Sequence, residues 1–169
     1  MSTATLTAGP RTTGVLTWDE TFMQIAQVIR QRSKDPSTQV GAVIVAPDNR
    51  VLSLGYNGTP NGFDDAHFPW AREADSPADT KYPYIIHAER NAVLNFRGLT
   101  REMEGATLYA THFPCNECAK EIIQAGIRTV VYATRDTGMN LLVEVTERMF
   151  RVCGVSVRWH NPETEEAGS

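Results

Sequence analysis

The feature that most restricts the fold is the alternation of strand and helix patterns in the second half of the chain. Residues 106–110 form a short apolar strand-like run, 115–125 a helical segment closed by Gly126, and 129–133 another strand. Leu141, Val145, Met149 and Val152 then predict a helical stripe, with a last short strand at 155–157. A strand that reaches the next strand through a helix makes a crossover, so these strands are expected to run parallel under covering helices. The first half reads differently. Trp18, Phe22, Ile25 and Ile29 recur at helical spacing behind Thr17, a plausible N-cap, and that helix should end near Ser33. Residues 40–46 are almost continuously apolar, as a strand buried on both faces should be, and Pro47-Asp48-Asn49 turns the chain back into a second strand at 51–56. A further helix is predicted at 88–96. The sum is an α/β fold, a three-layer α/β/α sandwich around a mixed five-stranded sheet. At 169 residues one domain is expected, spanning 15–160, with a disordered segment at 1–14 and an acidic, frayed tail at 161–169.

Composition narrows the function classes. The hydrophobic share of 41% and charged share of 21% are those of a globular chain. No stretch approaches the roughly 20 apolar residues of a membrane span, and the N-terminal residues lack the basic start and apolar run of a secretion signal, which predicts a cytoplasmic protein away from membranes. Sixteen Lys and Arg against twenty Asp and Glu give a net charge of −4, with no basic footprint for a nucleic acid polymer. Three cysteines, two of them spaced C-x-x-C, argue against a disulfide framework. Between residues 57 and 86 no periodicity persists, and prolines interrupt every candidate element. Phe63, Phe68, Trp70, Tyr82 and Tyr84 within it predict an ordered covering loop that packs its aromatics and frames a site.

Two clusters carry chemistry: His87-Ala88-Glu89 and Pro114-Cys115-Asn116-Glu117-Cys118, each at the predicted start of a helix. One imidazole and two thiolates supply three zinc ligands, and a fourth position left to water distinguishes a catalytic zinc from a structural one. Glu89, two residues beyond the ligand histidine, is placed beside the metal without binding it, where it can shuttle a proton. His-x-Glu with Pro-Cys-x-x-Cys is a signature of zinc deaminases that act on nucleobases, with hydroxide attacking a ring carbon. Cys153 reads as a small buried hydrophobe and His67 and His112 as surface or hydrogen-bonding residues outside the metal site, while His160 near the tail carries no signal.

The zinc motif resembles that of the cytidine deaminase superfamily. Further segments extend the likeness over about 18–157: Ser33-Lys34-Asp35-Pro36-Ser37-Thr38-Gln39-Val40-Gly41-Ala42, Gly55-Tyr56-Asn57-Gly58-Thr59-Pro60-Asn61-Gly62, Asp79-Thr80-Lys81-Tyr82-Pro83-Tyr84 and Phe113-Pro114-Cys115-Asn116-Glu117-Cys118-Ala119-Lys120. Together these are similar to the deoxycytidylate deaminase family. That resemblance implies a cytidine deaminase-like fold and hydrolysis of dCMP to dUMP and ammonia. It also implies one Zn²⁺ per chain, a homo-oligomer that is often a hexamer, and dCTP and dTTP as effectors. Residue by residue, it assigns His87, Cys115 and Cys118 to the metal, Glu89 to proton transfer, and Asn57, with Ala88 and Pro114, to the nucleotide. It places Asn61 and Gly62 in an effector loop. Asn57 can equally be read as a turn residue. Arg90 departs from the aliphatic residue common in that family; it either donates to the zinc thiolates or faces a neighbouring subunit or solvent. The loop at 134–140 lacks the tyrosine-histidine pair of some relatives. Lys34, Arg72, Lys81 and Arg135 are the candidate phosphate cations. Other readings of the same residues stay open: a deaminase of another free cytosine nucleotide or nucleoside, including a 5-substituted or natural-product precursor, or a structural zinc module without turnover.

Overall fold

The structure, a computed structural model, describes residues 10–135 and 140–161. Helix α1 (Trp18–Ile29) is followed by a 3₁₀ turn, strands β1 (Gly41–Val45) and β2 (Val51–Tyr56), and the long loop. Then come α2 (Ala88–Asn95), β3 (Thr107–His112), α3 (Asn116–Gln124), β4 (Thr129–Thr134), α4 (Asn140–Val152) and β5 (Ser156–Trp159). The five strands form one sheet in the order β2-β1-β3-β4-β5. β1 is antiparallel to β2 and β3, whereas β3, β4 and β5 are parallel, so the sheet is mixed as expected. No helix among the described residues is long and apolar enough to cross a membrane. The expected disordered segment at 1–14 and tail at 161–169 lie largely outside the described residues, as does the middle of the 134–140 loop.

Every residue of β1 is buried because the sheet is covered on both faces. Side chains alternate along a strand. Val43 and Val45 therefore meet Phe22, Met23 and Ala26 of α1, while Ala42 and Ile44 join the opposite core with Ala88, Ala92, Ile122 and Phe150. This is the three-layer sandwich, with α1 on one face and α2, α3 and α4 on the other. Thr17 caps α1 through a reciprocal box with Glu20. α2 is seated through a close approach: a Cβ at Gly55 would stand 2.2 Å from the Ala88 carbonyl oxygen and 2.3 Å from the Ala92 nitrogen. Only glycine lets β2 and α2 meet there.

Two expectations are corrected. Of the Leu141, Val145, Met149, Val152 stripe expected to face inward on α4, Met149 packs against the core, whereas Leu141, Val145 and Val152 are exposed at 72%, 37% and 75%. Phe150 and Thr146 turn inward instead, and Phe150 meets the ring of Phe113. Phe150 removes more apolar area from water than any valine could, and its choice of face rotates Leu141, Val145 and Val152 outward. Cys153, expected in the core, is exposed. α4 ends at Val152, Gly154 turns the chain at a positive φ of 72°, and Val155 fills the core in its place.

Candidate active site

Both ligand clusters sit at helix N-termini. His87 is the N-cap of α2, and Glu89 lies in its first turn; Cys115 is the N-cap of α3, and Cys118 lies in its first turn. Parallel β3 sets the start of α3 beside that of α2. Arg90 of α2 clamps the pair by donating to Glu121 of α3, with Nε to Oε1 at 2.6 Å. Neither reading given for Arg90 named this interhelical tie, and among the described residues no hydrogen bond from it to a thiol is seen.

The His87 Nδ1 atom lies 3.4 Å from both Cys115 Sγ and Cys118 Sγ. The three ligand atoms fall within 4.8 Å of one another. Zinc bound tetrahedrally at ordinary Zn–S and Zn–N lengths separates sulfur from nitrogen by about 3.6 Å, so the donor set fits that ion. Three ligands rather than four are brought together among the described residues. Glu89 is 4% exposed, and its Oε2 lies 3.6 Å from Cys118 Sγ. Burial is the main influence holding its carboxyl above the ordinary carboxylate range, against the pull of His87. The hydrogen bond from Cys118, ahead of all other causes, pushes the Cys115 thiol down to about 3, while Cys118 moves up through that bond and its burial.

A cavity of about 290 Å³ opens on this cluster, lined by His87, Ala88, Glu89 and Cys115 on one side and Asp35, Asn57, Arg72, Lys81 and Tyr82 on the other. Pro114, expected at the nucleotide, is fully buried and is not among the residues lining the cavity. His112 lines the cavity without joining the metal cluster. The long loop frames the cavity as the sequence predicts, but Tyr82, expected to pack with the other aromatics, is exposed at 55% and lines the cavity instead. The loop's ends pair through Gly58 and Ile86, and Phe63, Phe68, Trp70 and Tyr84 pack into one aromatic cluster. Asn57 holds the neighbouring segment: Oδ1 accepts from Val40 N at 2.8 Å, and Nδ2 donates to the Thr38 carbonyl at 2.8 Å and to Asp35 at 3.4 Å.

The four candidate phosphate cations separate. Arg72 and Lys81 line this cavity. Lys34 pairs with Asp65 in a second cavity of about 350 Å³ that also holds Arg32, Asn61, Gly62 and Arg97. Arg135 pairs with Glu147 at 2.8 Å and lies over Phe113. Sequence reasoning missed the buried carboxylate of Asp35, whose partner Lys81 lies 46 positions away. Asp35-Pro36 gives only the signal of a loop.

A half-exposed set of one imidazole and two thiols beside a buried carboxylate, on an α/β/α sandwich, defines a hydrolytic zinc centre. Residues 16–134 match the family model described as the cytidine and deoxycytidylate deaminase zinc-binding region. The chain is 45% identical over 148 residues to the deoxycytidylate deaminase of Mus musculus, covering 88% of this chain and 82% of that protein. The Homo sapiens deoxycytidylate deaminase is 44% identical over the same shares. A crystal structure of dCMP deaminase from the cyanophage S-TIM5 in complex with dCMP and dUMP matches with a TM-score of 0.66 at 29% identity, covering 83% of this chain and 95% of that chain. The chain therefore belongs to the cytidine and deoxycytidylate deaminase family, and its cofactor is zinc.

Proposed function

We propose that this chain hydrolyses dCMP to dUMP and ammonia, as the named relatives do. The observation that carries the reading is the Glu89 carboxylate, buried and 3.6 Å from Cys118, facing a nucleotide-sized cavity beside the ligand cluster. His87, Cys115 and Cys118 would hold the zinc ion, which when bound lowers the pKa of water to about 7. Glu89 would take one proton from the attacking water and pass it to the ring nitrogen, then take the second from the resulting C4 hydroxyl and pass it to the departing amine, leaving the C4 carbonyl. Its raised pKa suits a group that must both take and give that proton near neutrality. Ala88 forms the floor of the cavity, and Pro114 supports Cys115 from behind. In the balanced reaction one water adds at C4 and one ammonia leaves.

The second cavity is the place proposed for dCTP and dTTP. Asn61 and Gly62 line it together with the cations Arg32, Lys34 and Arg97, a set suited to phosphates. Its wall is shared with the active site: Lys34, Gly58 and Ile86 face one cavity, while their chain neighbours Asp35, Asn57 and His87 face the other. Residues 15–160 form the single catalytic domain in this reading, copies of which associate as a homo-oligomer, with a hexamer implied by the resemblance. A reducing cytoplasm suits its free thiols.

The test is ammonia release by the zinc-loaded chain across cytidine, deoxycytidine, CMP, dCMP and dCTP, with dCTP and dTTP also added as effectors. dCMP is expected to give the highest kcat/KM. Equal or better turnover of a nucleoside would refute the assignment to dCMP.

A further inference from the structure

One corner of the substrate cavity contains a buried ion pair that the chemistry above does not use. Lys81 Nζ lies 2.6 Å from Asp35 Oδ2, with side-chain exposures of 5% and 1%. Asp35 is saturated: Oδ1 accepts from Ser37 N and Thr38 N, and Oδ2 from Lys81 and Asn57. Asn57 has both of its N–H donors engaged by Thr38 and Asp35. An ammonium carries three donors. Asp35 takes one, and the side of Lys81 facing Tyr82 offers only a ring, 5.8 Å away. Of Asp35, Asn57 and Lys81, Lys81 is the one with donor capacity left.

Charge decides what those donors address. Lys81 is already neutralised by a carboxylate 2.6 Å away, so a second anion there would face Asp35 across the ammonium. Arg72 is exposed at the rim, and its Nε donates to the Tyr82 hydroxyl at 3.3 Å. A phosphate suits that wetter rim. The buried pair suits an uncharged acceptor deeper in the cavity.

We infer that Lys81, held in place by Asp35, is a specificity-determining residue that donates a hydrogen bond to a neutral oxygen of the bound pyrimidine nucleotide, either a sugar hydroxyl or the base carbonyl. This rests on the reading of the chain as a cytosine nucleotide deaminase. Removing Lys81 alone strands the buried Asp35 charge, so the informative variant is Asp35→Asn/Lys81→Met. With zinc content and thermal unfolding checked, its kcat/KM should fall about 10- to 100-fold, the range of one hydrogen bond to a charged group, mainly through KM. The factor should be the same for dCMP and deoxycytidine, so the preference for the phosphorylated substrate is unchanged.

Two analogues locate the acceptor: 2′,3′-dideoxycytidine 5′-monophosphate lacks the sugar hydroxyl, and 2-thio-dCMP replaces the carbonyl oxygen. The analogue that costs the wild type but costs the variant nothing further identifies the oxygen. Penalties that add for both analogues, unchanged kinetics, or loss of the phosphate preference would each overturn the inference. Should the variant not fold, the zinc-loaded Glu89→Gln protein crystallised with dCMP gives an independent answer. Nζ within about 3.2 Å of O3′ or O2 supports the assignment, and Nζ on Asp35 alone or on phosphate overturns it. A wild-type chain inactive on every cytosine substrate would refute both this inference and the deaminase reading. An active wild type with an unaffected variant refutes only the former.

Discussion

Glu89 concentrates the chemistry of this chain in one side chain. Its carboxylate is buried and stands beside the thiols without being one of the three grouped ligand atoms. Glu89→Gln keeps size and polarity but cannot carry the proton. The substituted protein is expected to retain its zinc, measured by elemental analysis, while kcat for dCMP falls by about 10²- to 10⁴-fold. Loss of zinc along with activity would instead make Glu89 a ligand. Arg90 works at the same scale but on geometry: its bond to Glu121 fixes the spacing of the two helix starts. Arg90→Met is expected to weaken zinc retention in competition with a chelator more than it lowers kcat of the loaded enzyme.

Among the elements, α2 is seated on β2 through one close backbone approach. Gly55→Ala would drive a methyl group into the Ala88 carbonyl and the Ala92 nitrogen, backbone atoms that cannot turn aside. α2 must then lift from β2, taking His87 and Glu89 with it. The expected outcome is a folded but zinc-poor protein with little turnover, destabilised by about 1–3 kcal/mol in chemical denaturation. At the other face, α1 is tied to β5 and β3 through Asp19, which accepts from Arg158 Nη2 at 3.2 Å and from the Tyr109 hydroxyl at 2.7 Å. Burial raises the Asp19 pKa, but the bonds from Arg158 and Tyr109 outweigh it and leave the carboxyl below its ordinary value of 3.8. A carboxylate with a lowered folded pKa stabilises at pH above its unfolded value, and that stability is lost as pH falls through the folded one. Asp19→Asn should therefore cost about 1 kcal/mol at pH 7, and the difference from wild type should shrink as pH falls below 3.8. Urea unfolding at several pH values reads this directly.

For the whole molecule, zinc joins parts of the sequence that local structure keeps separate. His87 and the two cysteines belong to different helices, 28 and 31 positions apart, so the metal cross-links α2 to α3. An ion that binds the native but not the unfolded chain stabilises by mass action. Stripping the metal with a chelator is expected to lower Tm by several degrees and abolish turnover, with both restored by Zn²⁺. An unchanged Tm would mean that the cluster is preformed by packing alone.

The sequence by itself determined which residues could do the chemistry and which layers they belong to. Ligand spacing, helix starts and the order of strands are local properties, written within a few residues of one another, and the three clustered ligand residues with Glu89 beside them are those the motifs named. What only the tertiary structure decided depends on pairings distant in the chain. Lys81 reads as one solvated cation among four until it meets Asp35, and Asn57 reads as a turn residue or substrate contact until it is seen bonded to Val40, Thr38 and Asp35. The face of α4 and the exposure of Cys153 were misread from the sequence, because helical spacing alone does not say which residues meet the sheet. Packing of Phe150 against the sheet selects the face. A helical repeat specifies a direction only once there is a core for it to point toward, and a charge specifies a role only once its partner is in place.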